Sequence, residues 1–68
     1  MKEYSATANG RTLTITSHAR PLEIIYRSIC CWFGPACPVT VTDTETGEHA
    51  TFTRSLDAAG NLVSITIL

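Results

Sequence analysis

The dipeptide Asn9-Gly10 constrains the fold most, because it lies between two runs in which apolar and polar residues alternate. Asn-Gly is the preferred centre of a two-residue type I′ turn, in which both residues adopt a positive φ. The turn sets the register of the two strands, and this register pairs Tyr4 with Ile15 on an apolar face. Only polar side chains meet on the opposite face. The sequence therefore predicts a β-hairpin with one apolar face over residues 3–16.

One helix is predicted from Pro21 to Phe33. Proline is favoured in the first helical turn, and the apolar residues that follow recur at the spacing of one helical face. A strand is the competing interpretation, since many of these residue types favour strands; about twelve residues without a turn is long for a strand. Gly34-Pro35 is predicted to end the helix. The packed face is predicted to comprise Leu22, Ile25, Tyr26, Ile29, Trp32 and Phe33.

A second hairpin is predicted after the helix. Val39–Asp43 and Ala50–Arg54 both alternate, and the loop Thr44–Gly47 lies between them. A four-residue loop places Val39 opposite Phe52, whereas a three-residue loop would pair the valines with threonines. We expect the aspartate before the loop to accept backbone N–H bonds and the loop glycine to adopt a positive φ.

A last turn is predicted at Asp57–Gly60, followed by the most apolar strand, Leu62–Leu68. A four-residue loop there places Phe52 opposite Ile65. Because an exposed apolar edge promotes aggregation, this strand is predicted to lie inside the sheet. The inward-facing residues are predicted to be Tyr4, Ala6, Leu13, Ile15, Val39, Val41, Ala50, Phe52, Val63, Ile65 and Ile67.

Together these elements predict one small α+β domain over residues 1–68, in the order β-β-α-β-β-β. One helix packs on one face of a five-stranded, mainly antiparallel sheet. We expect the first and last strands to lie side by side at its centre, with a right-handed crossover through the helix. A hairpin followed by a helix is similar in outline to the β-grasp (ubiquitin-like) arrangement. The Asn9-Gly10 hairpin is the local match, and no family is assigned.

Composition narrows the classes of function. The formal net charge is −1, and nucleic-acid binding normally requires a basic excess on one face. No apolar run approaches the roughly 18 residues that span a bilayer, and no signal peptide is recognised. Three cysteines are an odd number, which argues against a secreted disulfide framework. We expect a reduced, cytoplasmic protein without a membrane partner.

The cysteines and histidines are the residues with the most reactive chemistry. Cys30, Cys31, Cys37, His18 and His49 lack the paired spacing of a zinc site. Adjacent Cys30 and Cys31 point about 100° apart on a helix, and buried free cysteine behaves as a small hydrophobe. We therefore expect structural cysteines without a metal, with a Cys31–Cys37 disulfide as the lesser alternative. No oxyanion motif or third orienting residue accompanies them, so we expect neither enzymatic activity nor a cofactor.

Two surfaces remain as candidates for binding. Threonines dominate the outer face of the predicted sheet, which resembles ice-binding surfaces in composition, although sheet twist opposes a match to a lattice. The second surface is on the helix, where the apolar residues Ile24 and Cys31 on the outer side and the Trp32-Phe33 pair at its end indicate a partner. Its candidate partner-binding residues are Ile24, Arg27, Cys31, Trp32 and Phe33.

The leading hypothesis is a small, non-enzymatic protein-binding module. It would be an inhibitor or adaptor that acts by surface occlusion, of the type encoded by phages and mobile elements. The alternatives are a nucleic-acid-binding module, which the charge opposes, and a structural homo-oligomer such as a homodimer.

Overall fold

A computed structural model describes all 68 residues of the chain. Every pairing in its five-stranded sheet is antiparallel, and the strand order is β2-β1-β3-β4-β5. The predicted fold class and element order are confirmed. The elements are β1 (Lys2–Ala8), β2 (Arg11–Ser17), α1 (Leu22–Ile29), a 3-10 turn (Cys30–Trp32), β3 (Val39–Asp43), β4 (His49–Leu56) and β5 (Leu62–Ile67).

Both predicted hairpins are confirmed with their registers. Tyr4 pairs with Ile15, and the turn between β1 and β2 has the positive φ values of 50° at Asn9 and 74° at Gly10. Val39 pairs with Phe52. In each case a short turn and the apolar alternation specify the same register, which is why local sequence was sufficient.

The loop between β3 and β4 has the predicted polar geometry. One carboxylate oxygen of Asp43, Oδ1, accepts the backbone N–H of Glu45 at 2.9 Å and that of Thr46 at 3.3 Å. Gly47 has a φ of 81°, and its N–H donates to the Asp43 carbonyl oxygen at 2.8 Å. The carboxylate thus satisfies N–H groups that the tight loop leaves without ladder partners.

The expected adjacency of the first and last strands is wrong. β1 lies between β2 and β3, while β5 forms one edge of the sheet. Polar contacts hold β1 beside β3: Lys2 Nζ lies 2.6 Å from Asp43 Oδ2, and the Thr44 hydroxyl donates to the Glu3 carbonyl oxygen at 3.0 Å. Apolar alternation carries no information about such contacts. The hairpin and helix of the β-grasp outline are present, but β1 is not a neighbour of β5.

β5 is offset by two residues from the expected register, because Phe52 pairs with Ile67 and not with Ile65. The carboxylate of Asp57 accepts the N–H of Asn61 at 2.9 Å. This bond draws Asn61 into the loop, which becomes one residue longer than predicted. An irregularity in the ladder at the start of β5 adds the second residue of the shift.

The edge position of β5 changes which apolar residues are buried. Val63 and Ile67 were predicted to face inward, but they are 64% and 63% exposed; Ile65 is half-buried. The helix α1 packs mainly on β3 and β4 and therefore leaves β5, at the edge of the sheet, uncovered.

The helix is shorter than predicted, since α1 ends at Ile29 and the chain continues as a 3-10 turn. The Cys30 carbonyl oxygen accepts the Phe33 N–H at 3.1 Å and Arg54 Nη1 at 2.6 Å. These bonds replace the partner that a continued α-helix would have supplied. Trp32 is 61% exposed, so its predicted place on the packed face is wrong. The earlier positions of that face do pack on the sheet: Leu22, Ile25, Tyr26 and Ile29.

Two tyrosines anchor the core in different ways. The Tyr26 ring stacks on Phe52 with 5.1 Å between ring centroids, and its buried hydroxyl has no hydrogen-bond partner. The Tyr4 hydroxyl accepts the backbone N–H of Arg20 at 3.2 Å and donates to the Arg20 carbonyl oxygen at 3.4 Å. The core comprises Tyr4, Ala6, Ala8, Ile25, Tyr26, Ile29, Phe33, Val39, Val41 and Phe52.

Candidate functional site

Four side chains form an exposed group on the solvent side of α1 and the 3-10 turn, which we call the outer helix patch: Ile24, Arg27, Cys31 and Trp32. Ile24 is 42% exposed and Trp32 is 61% exposed; Arg27 and Cys31 are also exposed. The patch arises because Ile25, Tyr26 and Ile29 turn the opposite side of the helix into the core. An apolar side chain, a cation, a thiol and an indole are thus presented to solvent along one short segment.

Phe33 does not belong to this patch. It was a candidate partner-binding residue, but it is only 8% exposed and lies in the core. Its backbone is extended, which directs the chain out of the 3-10 turn. The Arg11 guanidinium carbon lies 5.9 Å from the centroid of the Phe33 ring. This geometry is a cation–π contact that covers the ring from β2.

The three cysteines are all free thiols. Cys30 and Cys37 are partly buried and pack against the core, while Cys31 is exposed. Cys30 Sγ lies 3.4 Å from the carbonyl oxygen of Arg27, a local contact between the 3-10 turn and the last turn of α1. The structure therefore gives two of these cysteines a packing role and places the third on the outer helix patch.

No three His, Cys, Asp or Glu side chains converge as a metal site, and the molecule has no pocket. The two histidines are exposed and belong to different parts of the sheet: His18 follows β2, and His49 begins β4. His49 Nδ1 is 3.2 Å from the Gly47 carbonyl oxygen. This contact is local to the loop.

The outer face of the sheet carries hydroxyl side chains across neighbouring strands. Thr7 and Thr12 have their Oγ1 atoms 3.4 Å apart, and those of Thr40 and Thr51 are 2.9 Å apart. The register aligns these four threonines in one row over β2, β1, β3 and β4. The hydroxyls hydrogen-bond to each other in pairs, so the row contributes to cross-strand pairing.

The strongest electrostatic feature lies at the β1–β3 end of the sheet, away from the outer helix patch. The Lys2 ammonium, with the Glu45 and Thr46 N–H groups, lowers the pKa of Asp43 against the opposing effect of burial. Asp43 in turn raises the pKa of Lys2. These charges stabilise the β1–β3 pairing and its loop, and they are not free to bind a ligand.

The edge strand β5 is a surface that the sequence interpretation missed. Five of the eight exposed large hydrophobic residues lie at this side of the sheet: Leu56, Leu62, Val63, Ile67 and Leu68. The alternation correctly identified an apolar strand, but the prediction that this strand lies inside the sheet is wrong, because β5 is at the edge. The absence of charged side chains from residue 61 to residue 68 is the signal that could have marked a strand in need of a partner.

Comparison with known proteins adds no relative, since the chain matches no protein-family model, no curated protein and no solved structure. None of its helices has the length and apolar character required to cross a membrane.

Proposed function

We propose that this chain is a small, non-enzymatic protein-binding module that acts as an inhibitor or adaptor by occluding a surface of its partner. The observation that carries the proposal is the exposure of the single tryptophan, Trp32, at 61%. Tryptophan is among the residues most enriched at the energetic centres of protein interfaces. In this fold Trp32 lies in the 3-10 turn outside the core, next to the exposed Cys31 and about two helical turns after the exposed Ile24.

The rest of the outer helix patch fits the same mode of recognition. Ile24 and Arg27 lie three residues apart and therefore share one side of α1. An apolar and a cationic residue next to an aromatic one are typical of a helix that docks in a groove or on a flat surface of a protein. The three free thiols further support a reducing, cytoplasmic setting for this binding.

The distribution of cations favours a protein partner over nucleic acid. Five Lys and Arg residues are present in the chain, and three of them are engaged within the fold. Lys2 pairs with Asp43, Arg11 covers an aromatic ring, and Arg54 binds a main-chain carbonyl. Too few cations remain for the multiple phosphate contacts that nucleic-acid affinity requires.

The proposal is tested by affinity capture with matched surface variants. Tagged wild-type chain, Trp32→Ala, Ile24→Glu and the control Thr14→Ala are incubated with lysate of the source organism, and bound proteins are quantified by mass spectrometry. We expect a partner that wild type and Thr14→Ala retain equally, and that both patch variants lose by about tenfold or more. Circular dichroism of each variant establishes that the fold is intact.

Fluorescence of Trp32 provides the second test, since it is the single indole in the chain. With a purified partner free of tryptophan, emission should shift to the blue as the side chain leaves water. Recovery of no protein whose capture depends on Trp32 or Ile24 would overturn the proposal. A captured protein that both patch variants retain would likewise overturn it.

A further inference from the structure

Beyond the irregularity at its start, the sheet edge at β5 has none of the features that normally prevent pairing with another strand. Natural edges carry charged residues, prolines or bulges along their length. Residues 61–68 contain no charged side chain and no proline, and the irregularity in the ladder is confined to the start of β5. The sequence pattern predicts an interior strand, yet in a single chain this strand is at the edge.

Main-chain groups of β5 are available for pairing on its open side. The Leu68 N–H donates to the Thr51 carbonyl oxygen at 2.8 Å. In an antiparallel ladder, residues alternate between those that bond to the neighbouring strand and those that point away from it. Since Leu68 bonds to β4, Ile67 and Ile65 direct their N–H and C=O groups to the open edge.

The strand is also a palindrome in residue class. Read from either end, residues 62–68 give the same order: apolar, apolar, hydroxyl, apolar, hydroxyl, apolar, apolar. A two-fold axis at Ile65 would therefore place like beside like in an antiparallel pair of β5 strands. The opposed residues would be Leu62 with Leu68, Val63 with Ile67, Ser64 with Thr66, and Ile65 with its own copy.

This register is also the one that the main chain supports. It pairs residue 65 with residue 65 of the other copy and residue 67 with residue 63, which are the positions whose main-chain groups point to the open edge. About six inter-chain hydrogen bonds would form along the two strands. Moving the register by two residues would set Leu62 against Thr66, or Ser64 against Leu68. Moving it by one residue would mix the two faces of the sheet.

We propose that the chain forms a homodimer in which two β5 strands pair antiparallel about a two-fold axis at Ile65. The two sheets become one sheet of ten strands, and β5 becomes the interior strand that its sequence predicts. The interface is isologous and closed, so it does not extend into a fibre. It is separate from the outer helix patch and does not depend on the proposed function.

Surface chemistry favours β5 over β2 as the interface. None of the exposed large hydrophobic residues lies on β2, where Leu13 and Ile15 are half-buried. A stable interface buries about 800 Å² on each partner, which is roughly a fifth of the 4242 Å² surface of this chain. Five of the eight exposed large hydrophobic residues are grouped around β5 and would form the apolar part of that area.

The test is sedimentation equilibrium of the purified chain from about 1 to 100 μM, a range that brackets micromolar association. Wild type is expected to have twice the mass of one chain. Val63→Lys and Ile67→Glu are each expected to weaken association on the order of 100-fold, because each places an unpaired charge against an apolar residue. Combined in one chain, the two substitutions oppose unlike charges across the two-fold axis and should restore the dimer.

Two controls make the result specific to this edge and register. Thr14→Lys places a charge on β2 and should leave the dimer intact. Ile67→Pro removes an N–H that only the dimer uses, so it should yield a folded monomer. A monomer at 100 μM would overturn the proposal, as would dissociation by Thr14→Lys or failure of the combined variant to associate. Mass that grows steadily with concentration would indicate head-to-tail β2–β5 pairing and would also overturn it.

Discussion

The two core tyrosines allow one chemical substitution to be tested in opposite environments. Tyr26 has 0% of its surface exposed, and its hydroxyl has no hydrogen-bond partner. Tyr4 has 1% exposed, and its hydroxyl makes two hydrogen bonds to the main chain of Arg20. Replacing either residue with phenylalanine removes one oxygen atom and keeps the ring. The sign of the change in stability should therefore depend on the hydroxyl alone.

Tyr26→Phe is expected to stabilise the fold. Burial of a hydroxyl without a partner costs about 1–3 kcal/mol, whereas the stack on Phe52 is retained by the phenylalanine ring. Allowing for the small space left by the oxygen, we expect the free energy of unfolding to rise by about 1 kcal/mol. For a domain of this size that corresponds to an increase in Tm of about 4–8 °C.

Tyr4→Phe is the matched control and should have the opposite sign. The lost bonds to Arg20 contribute about 1 kcal/mol net, since water can replace the hydroxyl at a partly exposed main chain. The two variants should thus differ by about 2 kcal/mol. Urea denaturation followed by far-ultraviolet circular dichroism would measure this difference. All proteins should be compared at one concentration, because dimerisation adds a concentration-dependent contribution.

The two variants together show whether the hydroxyl environment sets the change in stability. If Tyr26→Phe lowers the free energy of unfolding, then its hydroxyl has a partner and the reasoning about an unsatisfied group fails. If both variants change stability in the same direction, the hydrogen bonds of Tyr4 are not what distinguishes the two sites.

The pKa of Asp43 is lowered from 3.8 and that of Lys2 is raised from 10.5. The stabilisation by this ion pair should therefore be lost as the pH falls below 3.8 or rises above 10.5. In urea titrations, Asp43→Asn should make the free energy of unfolding depend less steeply on pH in both ranges. Gly47→Ala should cost about 1–2 kcal/mol, since alanine is strained at a φ of 81°; Gly34→Ala, at an open site without positive φ, should be nearly neutral by the same assay. Arg54→Met keeps the apolar stem but loses the 2.6 Å bond to the 3-10 turn, and should lower the free energy of unfolding by about 1.5–3 kcal/mol.

Each of these predictions has an outcome that would contradict it. Unchanged acid and alkaline slopes in Asp43→Asn would show that the ion pair does not couple stability to pH. Equal costs at the two glycines would remove backbone strain as the cause. A neutral Arg54→Met would mean that its hydrogen bond is fully replaced by water.

Local sequence predicted the hairpins and could not predict how they meet. Asn9-Gly10 and the Thr44–Gly47 loop each specify a turn, and the neighbouring alternation specifies the same register, so both hairpins are correct. The β1–β3 pairing joins residues far apart in the chain, such as Ala6 with Val41 and Lys2 with Asp43. No local pattern encodes that choice, and the strand order was therefore wrong.

The candidate site was predicted in part for a similar reason. Helical periodicity correctly placed Ile24 on the outer side of α1. It placed both Trp32 and Phe33 on the packed face, which is right for Phe33 and wrong for Trp32, because it assumed that the α-helix continues through the 3-10 turn. The early end of α1 coincides with a hydrogen bond from Arg54 to the Cys30 carbonyl oxygen, and these two residues are 24 positions apart in the chain. Periodicity cannot detect a helix terminus that is set by a tertiary contact.

The pairing of β1 with β3 also bears on the rate of folding. β1 and β2 form one local hairpin, and β3, β4 and β5 form a continuous meander, so each part can assemble from sequence neighbours. Within the sheet they meet along the pairs from Tyr4–Asp43 to Thr7–Thr40. Closing so long a loop costs entropy before any contact forms, which makes this junction the expected rate-limiting step. In stopped-flow experiments Val41→Ala should mainly slow folding, whereas Asp57→Ala, in the β4–β5 turn, should mainly speed unfolding.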